Sequence, residues 1–504
     1  MAYVLGIDIG TSSSKAVAVD ESGEIRATEQ IAHEISRPRV QWAEHDPAVW
    51  WSEVALLSRQ VVAAVGTSPA AVCVSGMGPC LAPMTAAGEP LRPAILYGID
   101  TRAEAEIAEL SEEIGEKELL AHGGSLLSSQ AVGPKLLWLQ RHDPDVWAST
   151  RRFSMPSSYA VWRLTGEYVL DHHSASQCNP LYDLPANQWN DEMVDRVAPG
   201  IELPRLLWPS ELAGRVTAAA ASATGLDGDT PVLAGTIDAW AEAVSIGATQ
   251  TGDVMLMYGS TMFLTKVVER GTRSPRLWAT AGVHEGTETL AAGMATGGIV
   301  ASWFGELVGE RLETLMAEAA AVQPGAEGLL LLPYFAGERT PIFDPHARGT
   351  LLGLTLSHGR SQIMRAMLEG VAMGVRHNLA AFDDVSPPAA RHLAVGGGAR
   401  TPTWPQVVSD VSGVTQLMPR HGVGAALGDA MLAAEAAGMS GSAGWNPIER
   451  TIEPNREHAR LYDELFGHYR QAYLDTKQVT HRLVNLHQPR IIKPIPAQPS
   501  ATDR

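Results

Sequence analysis

Cysteine is nearly absent from this chain: three in 504 residues, too few for a disulfide framework. Cys73, Cys80 and Cys178 also lack the paired spacing of a zinc site. No uncharged apolar run reaches the about 18 residues that a membrane helix needs. The opening MAYVLGIDIGTSSSK has no charged stretch leading into an apolar one, so no signal peptide is expected. Positive charge is the scarcer sign, with 38 Lys and Arg against 56 Asp and Glu and a net charge of −18. That balance argues against a nucleic-acid partner, and an anionic ligand would need a locally prepared site. What is present is ample core material: 45% hydrophobic and 19% charged residues, a composition that argues against disorder. At 504 residues the length fits about three ordinary domains or two large ones. A cytoplasmic protein with neither a membrane nor a nucleic-acid partner is the expectation.

Along the chain, Tyr3 to Ile9 and Lys15 to Asp20 are short apolar runs around Gly10-Thr11-Ser12-Ser13-Ser14, which reads as strand, turn, strand. A third strand is expected from Ile25 to Glu34, after the turn Glu21 to Glu24. Asp46 and Pro47 open a helix as N-cap and first helical residue, running to about Val65. Strands at Ala71 to Ser75 and Ala94 to Asp100, then a helix from Thr101, continue an α/β pattern. A second start comes at Asp253 to Tyr258, Gly259-Ser260-Thr261 and Met262 to Val268. The same device thus occurs twice, about 250 residues apart. These positions suggest a first domain over 1–247, a second over 248–445, a C-terminal helix within 446–487 and a proline-rich, unpacked tail over 488–504. The final helix is expected to cover a domain surface or a subunit interface, as in a homodimer.

Four motifs carry chemistry. In Gly6 to Lys15 a strand delivers Asp8 to a turn where Thr11 and Ser12 offer N–H and hydroxyl donors. Such a turn can surround phosphate oxygens while Asp8 holds Mg2+ through water; an ordinary polar hairpin is the alternative. Gly259, Ser260 and Thr261 form the equivalent second turn. Gly396, Gly397 and Gly398, between an apolar strand and a helix, let a flat ring lie against backbone, or form a flexible loop. Asp238 stands at a strand-to-helix junction, where a carboxylate serves as a general base for a hydroxyl or as a helix N-cap.

The chain resembles the FGGY family of carbohydrate kinases, and within it the xylulose kinases. The resemblance is carried by WAEHDPAVWW (Trp42 to Trp51), ILYGIDTR (Ile95 to Arg102), PKLLWLQRHDP (Pro134 to Pro144) and the long run from Pro333 to Val371 that begins PYFAGERTPIFDPHARG. It implies two actin-like ATPase domains of the ribonuclease H type with a cleft between them. It implies ATP and Mg2+ bound mainly by the second domain and a small sugar or polyol bound by the first. Asp8, Thr11, Ser12 and Lys15 then fall on one phosphate loop and Gly259, Ser260 and Thr261 on the other. Gly396 to Gly398 fall on the adenosine segment and Asp238 on the catalytic base. Met77, Gly78, Asp100 and Arg102 fall on the sugar side, where Arg102 can also simply brace its loop.

The sugar side departs from the family. Gly76-Met77-Gly78-Pro79-Cys80 stands where xylulose kinases show Gly-Gln-Met-His-Gly, and Ala239-Trp240 follows the aspartate where asparagine is usual. Tyr97 replaces a tryptophan. Phosphotransfer to a primary hydroxyl is expected, with D-xylulose the family default. Another ketose, a polyol or an aldonate is the alternative, and two missing hydrogen-bonding side chains predict weak use of D-xylulose. An actin-like ATPase without a sugar is the alternative of another class. His172 and His173 are expected in a loop, and Glu338 with Arg339 as a structural ion pair.

Overall fold

Tyr3–Ile9 is apolar at nearly every position, the pattern of a strand covered on both faces. It pairs antiparallel with Ser13–Asp20, Asp8 opposite Lys15, and parallel with Val72–Gly76. Ile25–Ala32 alternates half-buried and exposed residues, as an edge strand does, and stops two residues before the expected end. The structure, a computed structural model, describes residues 2–487; the expected unpacked tail lies outside them. The first sheet runs Leu212–Arg215, Pro231–Leu233, Val72–Gly76, Tyr3–Ile9, Ser13–Asp20, Ile25–Ala32, with Thr236–Ile237 beside Val72–Gly76. The second runs Ile448–Ile452, Gln416–Pro419, Arg391–Val395, Asp253–Tyr258, Met262–Val268, Glu288–Met294, Trp278–Ala281. Read side by side, both hold a central strand, an antiparallel hairpin on one flank and parallel strands closed by an antiparallel edge on the other. The segment 446–487 therefore supplies an edge strand as well as the helix Ala459–His487.

Local chemistry sets the helix ends. Asp46 accepts a hydrogen bond from Ala48 N at 2.9 Å, Pro47 occupies the first position, and Gly66 closes the helix Pro47–Val65 in the left-handed region at φ 85°. Trp50, Val54, Leu57 and Val61 form its buried stripe. The run Ala94 to Asp100 is not one strand. Only Ala94–Ile95 pairs, and Tyr97 to Asp100 makes a turn closed by Asp100 N on Tyr97 O at 2.9 Å. The following helix is Glu104–Ile114, later than Thr101.

Two helices trade places at the floor of the cleft. Asp238–Ser245 follows the first sheet in sequence, yet Ala243, Ile246 and Ala248 pack with Met255, Leu393 and Val395 of the second. Ala425–Ala436, from the second half, is buried around its whole circumference over Ala425–Ala434 and lies on the first sheet. Glycines permit the approach. A Cβ on Gly6 would sit 2.0 Å from Ala426 O, and one on Gly428 would sit 1.8 Å from Ala241 O. Among the described residues no helix is long and apolar enough to cross a membrane.

Candidate active site

A cavity of about 210 Å3 lies between the two halves, lined from the first by Gly78, Tyr97 and Asp238 and from the second by Thr261, Phe263 and Arg339. Thr11 reaches it through a 2.7 Å hydrogen bond between its Oγ1 and the Tyr97 hydroxyl. The first turn is tied by Gly10 N on Ser13 O at 3.1 Å, the second by Gly259 N on Thr261 O at 3.0 Å. Behind the first turn stands a prop with no sequence signal. His33 bridges Gly10 O and the Glu53 carboxylate at 2.9 Å each, and Ser14 Oγ donates to Glu53 at 2.6 Å. The Glu53 hydrogen bond holds the His33 imidazole above its ordinary pKa.

Asp238 is the first residue of its helix, with Ile237 at the cap position, so it is not the N-cap. Its Oδ1 accepts Ala239 N–H at 2.7 Å; among the described residues Oδ2 has no protein partner. Burial pushes its pKa up to about 6. It is one of four carboxylates that repel one another here, Asp429 buried and Asp8, Asp238 and Glu242 partly buried. Burial raises Asp8 well above the carboxylate range, and Asp238, Asp429 and Glu242 add to the shift against the opposing charge of Lys15. Burial takes Glu242 to about 7, with Asp238 contributing. Asp429 is raised too, although Ser75 N and Oγ donate to it at 3.1 and 2.6 Å. Asp8 Oδ1 is buried without a hydrogen bond. So many carboxylates and one lysine leave an electrostatic deficit that a divalent cation fits.

Lys15 crosses the cleft, its Nζ donating to Val423 O at 2.9 Å. Gly396 floors a second recess of about 370 Å3, walled by Arg400, Met418, Arg420 and Arg450. Gly397–Arg400 is a short 3-10 turn, and the helix proper starts at Thr403. Sequence reasoning missed Glu242 and Asp429. Glu242 lies one turn after Asp238 on the same face, and Asp429 is the one acid in the otherwise apolar AALGDAMLAA; both signals were available.

Three sugar-side expectations sit elsewhere. Met77 is buried in the first core. Asp100 and Arg102 do not line the cavity: Arg102 is buried, paired with Asp100 at 2.7 Å and Glu44 at 2.9 Å, and stacked 3.8 Å over Trp42. Asp100 also accepts Ala43 N–H at 2.7 Å, so the pair braces the loop. Gly78 lines the cavity and Pro79 does not. The polar wall is made instead by Ser125, Ser128, Gln130, Gln177 and Asn179. His173 supports it from a short helix, His172–Ser176, not from a loop. Its Nδ1 lies 2.8 Å from Ala281 O and its Nε2 2.9 Å from the Gln177 amide, with the ring against Trp240 at 3.8 Å. Burial drops its pKa to about 3, so it stays neutral. Glu338 and Arg339 form no salt bridge. Glu338 accepts Ala295 N–H and Arg339 N–H at 2.7 and 2.8 Å, while Arg339 faces the cavity.

Two family models match in order: the FGGY family of carbohydrate kinases, N-terminal domain, over residues 3–245, and its C-terminal domain over 255–437. The chain is 30% identical to the xylulose kinase of Escherichia coli (strain K12), covering 93% of this chain and 98% of that one. It is 29% identical to the xylulose kinase of Lactococcus lactis, covering 97% and 99%. The crystal structure of xylulose kinase from Rhodospirillum rubrum superposes with a TM-score of 0.89 at 32% identity over 95% of this chain and all of that one. With both halves matched in order, two similarly built sheets and one shared cleft, the chain belongs to the FGGY family of carbohydrate kinases, phosphotransferases that take an alcohol group as acceptor.

Proposed function

We propose that the chain transfers the γ-phosphoryl group of ATP to the primary hydroxyl of a small ketose, D-xylulose being the first candidate. One observation carries the reading: the Asp238 carboxylate opens onto a cavity that the second hairpin turn lines through Thr261 and the first reaches through the Thr11–Tyr97 hydrogen bond. A hydroxyl in that cavity would pass its proton to Asp238 as its oxygen attacks the phosphorus in line. Thr11, Ser12, Gly259, Ser260 and Thr261 would hold phosphate oxygens by N–H and hydroxyl donors, with Lys15 as local counter-charge. Gly396 to Gly398 would lie against adenosine in the recess on the second half. Asp8, directly or through water, would hold Mg2+, with Asp238, Glu242 and Asp429 completing the negative field. Bound Mg2+ supplies charge neutralisation on the β- and γ-phosphates. Most of the rate enhancement would come from positioning and electrostatics.

A coupled ADP-release assay over ketopentoses, tetritols, glycerol and aldonates tests this. Stimulation by D-xylulose of at least tenfold over the sugar-free rate supports the reading, and no stimulation by any member overturns it. A second reading rests on the wall itself: Pro79 stays out of the cavity and Ala239 offers it only a methyl group. A sugar hydroxyl left without a partner costs about 1–3 kcal/mol. Another ketose, polyol or aldonate exceeding D-xylulose tenfold in kcat/KM, about 1.4 kcal/mol, would select that second reading.

A further inference from the structure

Away from the cleft, Asp344, His346 and His481 bring one ligand atom each to within 4.8 Å of one another. Asp344 and His346 sit in the FDPHARG stretch and His481 in the last turns of Ala459–His487. Asp344 is buried, His481 half-buried and His346 exposed. The carboxylate lies 2.9 and 2.7 Å from His481 Nε2 and accepts the Tyr473 hydroxyl at 2.7 Å and His346 N–H at 3.0 Å. The two imidazole rings are 5.6 Å apart. Lys477 Nζ lies 3.9 Å from Asp344 Oδ2 on a half-exposed side chain that can swing away.

We propose that these three side chains bind a divalent transition ion of the zinc class. Two imidazoles and one carboxylate suit Zn2+, Ni2+ or Co2+ and not Mg2+, which takes oxygen ligands. Zn2+ held by three protein ligands keeps a fourth position for water. The ion would take the place of the direct contact between His481 Nε2 and the Asp344 carboxylate. His346, at the surface, turns in to complete the set. The site would clip the final helix to the loop that carries Arg339, because Glu338 and Asp344 exchange two backbone hydrogen bonds of 2.9 Å. Isothermal titration of metal-stripped full-length protein with ZnCl2 tests this, with His346→Ala and His481→Ala as variants and thermal melts confirming that each folds. One zinc ion per chain, weakened more than tenfold in each variant and not displaced by millimolar Mg2+, is the expected result. No stoichiometric binding overturns the proposal. So does binding that survives either variant, which would place the ion on others of the 16 histidines.

Discussion

Asp238→Asn keeps the shape of the side chain and its hydrogen bond from Ala239 N–H while removing the proposed base. Turnover should fall by about 10²–10⁴-fold, with the thermal melt and ATP binding by calorimetry close to wild type. A variant that keeps more than about a tenth of the rate would leave Asp238 a structural role only. The same proposed role predicts a pH-dependent activity. Its carboxylate is pushed up to about 6 and acts as a base only when ionised. The acidic limb of kcat/KM should therefore rise through about pH 6, not the ordinary carboxylate range near 4. A rate independent of pH between 5 and 7 would contradict that assignment.

At the scale of elements, the crossing of Ala425–Ala436 over the first sheet is a tight joint. Gly6→Ala places a methyl group 2.0 Å from Ala426 O and 2.5 Å from Ala430 N, both backbone atoms that cannot step aside. Overpacking of this kind costs about 1–3 kcal/mol, and more where backbone must move. Chemical denaturation should show a loss at or above the top of that range. Gly467→Ala, in the last helix with open space around it, should instead gain about 0.5–1 kcal/mol. Elements whose signals are local were legible in the sequence: the Gly10 to Ser14 turn, the Asp46-Pro47 helix start, the second hairpin after Gly252. What the chain brings together from afar was not. Lys15 meets Val423 across 408 positions, His33 finds Glu53 through the fold of the first half, and Arg102 turns from the cavity to Trp42 and Glu44. No period or spacing encodes such meetings. The family motif put Asp100 and Arg102 on the sugar side, but only packing decides which way the pair faces, and it faces Glu44 and Trp42.

Across the whole molecule, desolvated acids and desolvated histidines set opposite pH demands. Glu242 and Glu338 are raised to about 7 and about 8 by burial, so the folded state binds their protons more tightly than the unfolded chain. Their contribution is complete at low pH and fades as pH rises through those values. His173, His377 and His392 are lowered to about 3, 4 and 4 by burial, so the stability they support is lost as pH falls below their unfolded value of about 6.5. The ligand-free melting temperature should decline between pH 7 and pH 8, where the histidines no longer titrate in either state and the raised glutamates do. A steady rise to pH 8 would refute this balance. Added Mg2+ should stabilise more at pH 8 than at pH 6 if, as proposed, it binds beside Asp8, where it would take the place of the Glu242 proton. The traded helices carry one more consequence. Cutting the chain between residues 247 and 248 leaves each half holding the cover of the other's sheet. Neither fragment made alone should be soluble, whereas the two co-produced should reassemble and regain turnover, because the halves are interlocked parts of one folding unit.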